Sequence, residues 1–205
     1  MKHQPYISIA NLVEYAAAAS ATRRRNIIAN YHEPKIYKMD WHGASDAIFQ
    51  SMISGAGDAH ELAKREKARC SDLKLNASKK TRQRADHIID IVDLLETSDF
   101  GKICEGVEIV EASALPIDFI FGDLKVRVRP NSILKSKFSP FKDRTFGVCK
   151  CHCFSSMRLD ETSGSYYSTL LQSYAEACMP NEDIDNQFCQ VFDLFGNQTY
   201  SAPKA

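Results

Sequence analysis

The chain has no excess of either charge: lysine plus arginine and aspartate plus glutamate each total 26 in 205 residues. No bulk field therefore draws it towards nucleic acid or an anionic membrane, and any basic site must be local. Long apolar runs are missing as well. The alanines after Tyr15 fall far short of the roughly 20 residues that a membrane span requires, and the start lacks a signal-peptide layout. A cytoplasmic protein without a membrane partner is expected. The cysteines number seven, with no C-x-x-C spacing, which fits reduced thiols better than a disulfide framework. There is no G-x-G-x-x-G, phosphate-binding loop, H-E-x-x-H or G-x-S-x-G. His3, His32, His42, His60 and His87 are scattered without ligand spacing.

What is present describes a folded chain. Hydrophobic residues make up 44% and charged residues 25%, near globular averages. The length suits one domain over 1–205, mainly helical over 1–103 and sheet-containing over 104–200.

Ser8 precedes a segment in which Leu12, Tyr15 or Ala16, and Ala19 recur at helical spacing, and His32-Glu33-Pro34 ends it, giving one or two helices. A short helix follows over "ASDAIFQSMIS", closed by Gly55-Ala56-Gly57. Asp58 and Glu61 form a capping box for the next helix. In "KKTRQRADHIIDIVDLLET" a stripe of Ile88, Ile89, Val92 and Leu95 predicts another. Near residue 105 the period changes to two. "VEIVEAS", "IDFIF", "LKVRVRP" and "FGVCKCHCF" read as a meander of about three strands, with Gly122-Asp123 as a hairpin turn. A helix with Tyr167, Leu170, Leu171 and Tyr174 inward and a last strand, "QFCQVFDLF", complete the order. The expected class is α+β, a helical first half followed by a mixed sheet in the order β-β-β-α-β.

Within "FGVCKCHCF", alternation puts Cys149, Cys151 and Cys153 on one face and Lys150, His152 and Phe154 on the other. Same-face neighbours on a straight strand lie about 6.5 Å apart, too far to share a zinc ion without a bend. The cysteine face is therefore read as core. A zinc site that adds Cys104, Cys178 or Cys189 is the alternative, and a thiol nucleophile with His152 as base is disfavoured by their opposite faces. The same alternation puts Lys125, Arg127, Arg129 and Asn131 on one face, with Val126 and Val128 on the other. These cations form either a solvated face or, with Lys150 and His152, a strip that contacts nucleic-acid phosphates. Arg23, Arg24 and Arg25 would add to it. Trp41, with Tyr31, Tyr37 and His42 around it, marks an aromatic loop that is expected to fold back on the core rather than stack bases.

The helix, three-strand meander, helix, strand order, with Arg129-Pro130-Asn131 leaving the second strand and Lys150 on the third, resembles the PD-(D/E)XK (restriction endonuclease-like) superfamily over residues 8–20 and 105–195. The resemblance implies a metal-dependent nuclease core with an acid on the first helix, an Asp after Pro on the second strand and an acidic-x-Lys on the third. Glu14 would match the helix acid and serve as metal ligand, Asn131 stands in the Asp position, and Lys150 matches the lysine. The acidic position before it is Val148. With two of three carboxylates absent, Mg²⁺ or Mn²⁺ would be held poorly, and a weak or inactive nuclease is expected. Asp118, Asp123, Glu108 or Glu111 would complete the site if a strand were shifted in register. The partners implied are DNA or RNA. The competing expectation is a non-catalytic subunit that kept the fold and binds a protein through its helical half.

Overall fold

A computed structural model of the chain describes residues 6–17, 20–32, 42–75, 77–112, 115–116, 118–137 and 145–204. A two-residue strand, β1 (Ile7–Ser8), leads into α1 (Ile9–Ala17), where the Ser8 hydroxyl accepts the amide of Asn11 at 3.2 Å. The second helix, α2 (Ala21–His32), buries only Ile27. Next, α3 (Gly43–Ser54) stops at Gly55, whose φ of +65° suits glycine. Asp58 caps α4 (Ala59–Leu75) by accepting the Glu61 amide at 2.9 Å, and Ser78 caps α5 (Lys79–Thr97) through Thr81. The buried stripe of α5 is Ala85, Ile88, Ile91, Val92 and Leu95. Ile91 thus fills the inward place expected of Ile89, which is half-buried. Lys74 pairs with Asp86 and Lys67 with Glu96, a register that sets α4 and α5 antiparallel. A single turn, α6 (Gly101–Cys104), ends the helical part.

The strands form two sheets. The main one contains β2 (Val107–Glu111), β5 (Ser132–Ser136), β6 (Thr145–His152), β8 (Gln190–Asp193) and β9 (Gln198–Ser201) in that spatial order, with the short β7 (Asp183–Ile184) also on β6. Adjacent strands are antiparallel except at β6, which pairs parallel with β7 and with β8, the strands that follow it through α7 (Glu161–Cys178). The expected hairpin exists as β3 (Asp118–Phe121) and β4 (Leu124–Arg127), turning at Gly122 with φ +58°. It leaves the main sheet, however, and joins β1 in a separate three-stranded one. The middle strand of the main sheet is instead β5, "SILKS", so Arg129-Pro130-Asn131 links β4 to β5 and stands before the middle strand instead of after it. A 3₁₀ turn over Asn186–Phe188 shortens the last expected strand, and β9 lies in a stretch read as polar tail.

The class is mixed α and β with mixed sheets. Helices cover the main sheet on both faces. On one side α1 and α7 bury Val13, Tyr167, Leu171 and Tyr174 against Val148 and Val191. On the other, α3 and α5 bury Phe49, Ile88 and Leu95 with Leu134, Cys149, Cys151 and Phe192. Close approach seats α7: a Cβ on Gly164 would lie 2.3 Å from the Tyr200 ring of β9. Among the described residues, no helix is long and apolar enough to cross a membrane.

Candidate functional site

The site is built around Asn131, where the chain passes from the small sheet into β5. Its backbone N–H donates to the Cys149 carbonyl at 2.8 Å, which fixes it beside β6, and its side chain is buried. The Cys151 N–H lies 2.7 Å from Oδ1, and because that amide can only donate, the oxygen must face it. Nδ2 is thereby turned to Asp46 Oδ1, 3.0 Å away. Lys150, on the next strand, brings Nζ to 2.8 Å of the same oxygen. One carboxylate oxygen thus accepts from two side chains that lie 85 and 104 residues further along the chain. The Lys150 side chain is 15% exposed and that of Asp46 34%, so the ion pair is partly shielded from water.

Asp46 is the residue that sequence reasoning missed. It stands in the first turn of α3, a helix expected from its apolar spacing, and its signal was an acid in that turn. No local pattern joins it to strands so distant in sequence. Glu14, assigned as the helix acid, is clamped by Arg23 instead, with Nε at 2.5 Å and Nη2 at 2.7 Å. That contact raises the Arg23 pKa above the usual guanidinium value.

The outward face of β6 is not open along its length. His152 is 1% exposed, which corrects its assignment as a nucleic-acid contact. Because α7 and α1 cover this face, alternation alone made it look solvated. His152 Nε2 sits 2.7 Å from the Met157 carbonyl, so that nitrogen carries the proton. Burial pushes its pKa below the ordinary 6.5, the Met157 carbonyl and the carboxylates of Asp193 and Glu14 oppose this, and Lys150 adds to it. Nδ1 of His152 and Oδ1 of Asp193, its neighbour on β8, are buried with no hydrogen-bond partner among the described residues.

The basic strip is divided. Val126 and Val128 are buried, as alternation requires. Lys125 and Arg127, however, both pair with Asp118, Arg127 at 2.8 Å and Lys125 at 3.3 Å, and the Arg127 guanidinium stacks 3.5 Å over the Tyr6 ring. Arg129 is exposed and makes no ion pair among the described residues. Trp41 and Tyr37 of the expected aromatic loop lie outside the described residues. Tyr31 packs partly buried on the α7 side of the sheet.

Cys149, Cys151 and Cys153 are buried in the core on the α5 side, as read from alternation. Cys178 and Cys189 lie on the α7 side, so the thiols are divided by the sheet. Past the end of β6 the chain bends, which brings the Cys151 and Cys153 sulfurs to 3.3 Å, closer than a straight strand allows. Burial pushes the Cys149 thiol up to about 12 and that of Cys151 well above its usual value, which suppresses the nucleophilic thiolate. Among the described residues no three His, Cys, Asp or Glu side chains converge. Of the carboxylates named to complete the site, Asp118 holds Arg127, Asp123 lies in the hairpin turn, and Glu108 and Glu111 are exposed on the edge strand β2. Two surface clefts lined around Asn186 and Lys204 share no residue with the Asp46 cluster.

Comparison of the chain with family models, curated proteins and solved structures gives no match.

Proposed function

We propose that the chain is a nuclease-like domain of the PD-(D/E)XK type that binds DNA or RNA at the Asp46, Asn131 and Lys150 cluster, with an impaired metal site. The observation that carries this reading is the convergence on Asp46 Oδ1 of the two side chains that match the superfamily's Asp and Lys positions. The chain order β2, β5, β6, α7, β8 within the main sheet, with the two-residue β7 between α7 and β8 and with β9 after it, supports it, since β-β-β-α-β is the order that the resemblance implies. Asp46 on α3 takes the part of the helix acid first sought at Glu14.

The donor set does not suit Mg²⁺ or Mn²⁺. A hard cation seeks several anionic oxygens, whereas Asp46 Oδ1 already accepts from Lys150 and Asn131, and a neutral amide stands in the second carboxylate position. No hydrolytic step is therefore assigned to a metal. Lys150 is the cation placed to meet a phosphate oxygen, at the cost of its pairing with Asp46.

The test is cleavage of single- and double-stranded DNA with Mn²⁺ by wild type and Asn131→Asp. The substitution would set a second carboxylate oxygen about 3.0 Å from Asp46 Oδ1, and two anions that close favour a cation between them. Wild type is expected to be weak or silent, Asn131→Asp active, and Asn131→Asp with Lys150→Ala inactive. Silence from every variant, with no nucleic-acid binding by wild type, would leave the non-catalytic interaction subunit. Exposed Leu75 and Ile28 in the helical half favour that second reading.

A further inference from the structure

We propose that the site takes single-stranded nucleic acid, with one unpaired base seated on the ring of Phe154. The inference rests on the nucleic-acid reading above and adds the substrate class. Phe154 follows the end of β6 and is 40% exposed. Its ring centroid is 5.2 Å from that of His152 and 5.8 Å from that of His42. Each neighbour ties the ring to the cluster. His42 precedes α3, and its carbonyl accepts the Asp46 amide at 2.9 Å. His152 lies two residues beyond Lys150 on the same face of β6. A solvent-facing aromatic ring is thus fixed beside the cluster in which Lys150 and Asn131 meet Asp46.

Lys125 and Arg127 are committed to Asp118, but Arg129, two residues before Asn131, is exposed and makes no ion pair among the described residues. Every nucleobase offers a π-face to an aromatic ring, but inside a duplex both faces are covered by stacked neighbours, so away from duplex ends an unpaired base is needed to lie on Phe154. An exposed ring packed on His152, with the exposed Arg129 two residues before Asn131, suits a base and its flanking phosphates. The contacts named reach base and phosphate, which DNA and RNA share.

The test is fluorescence anisotropy with short labelled single-stranded DNA, single-stranded RNA of the same sequence, and the blunt duplex, each across a salt series. Wild type should bind at least one single strand roughly tenfold more tightly than the duplex. Phe154→Ala should weaken that binding about tenfold and Phe154→Tyr should retain it, while duplex binding is unchanged by either. Arg129→Ala should reduce the slope of log affinity against log salt by about 0.7, the single-strand value for one lost phosphate contact. Equal or tighter duplex binding, or an unchanged single-strand affinity in a folded Phe154→Ala protein, overturns the inference and leaves the nucleic-acid reading standing. Absence of binding to all three probes overturns both.

Discussion

Asp118 and Asp46 each gather two nitrogen-bearing side chains, and the two clusters differ in how far the chain travels to build them. Asp118 faces Arg127 directly across the β3–β4 hairpin, nine residues away, and Lys125 shares the same carboxylate. This is ordinary cross-strand charge matching. Asp46 meets Asn131 and Lys150 only because α3 packs beside a sheet formed much later in the chain. Both clusters look alike in composition, yet the first neutralises a strand that had appeared to be a basic strip, whereas the second brings together groups that local structure does not require. A cation found by alternation is a candidate ligand only after its cross-strand neighbour is known.

Substitutions separate the two clusters by size of effect. The largest loss is expected from Asn131→Ala, which orphans the buried Cys151 N–H and removes a donor to Asp46. Chemical denaturation should show a loss of roughly 2–3 kcal/mol. Arg127→Ala removes a partly exposed ion pair and a stacking contact with Tyr6, and should cost about 1 kcal/mol. This smaller effect should depend on acid. Arg127 and then Lys125 hold the Asp118 pKa below its ordinary 3.8, so the pairing stabilises the folded chain at pH values above that and is lost as pH falls through the lower, folded value. The stability gap between wild type and Arg127→Ala should be constant near neutrality and close below about pH 3.8. Lys125→Ala, at the longer 3.3 Å contact, should shift stability by no more than about 0.5 kcal/mol and leave nucleic-acid binding untouched. A marked loss of binding in Lys125→Ala would erase the distinction between the clusters.

The same contrast explains what the sequence made legible. Helices α5 and α7 announce themselves by apolar spacing, and Tyr167, Leu170, Leu171 and Tyr174 all point inward as expected. The cysteine face of β6 was correctly core. Strand β5 was hidden because its buried face carries Ser132 beside Leu134, so the apolar alternation breaks. Strand β9 buries only Tyr200 among polar neighbours. His152 was misplaced because both faces of a central strand are covered here, and alternation cannot distinguish a covered polar side chain from a solvated one. Asn131 and Lys150 were picked out by the motif positions that the resemblance to the PD-(D/E)XK superfamily supplies. Their shared acid was not, since its place depends on packing between elements far apart in the chain.

The most direct test of the shared acid is a double-mutant cycle on stability with Asp46→Ala and Lys150→Ala, measured by urea unfolding with Asn131 intact. Groups in direct, partly buried contact should couple, and the cycle should return an interaction energy of about 1 kcal/mol or more. Effects that add to within about 0.3 kcal/mol would show that Lys150 and Asp46 do not meet, and the site proposed around them would fall.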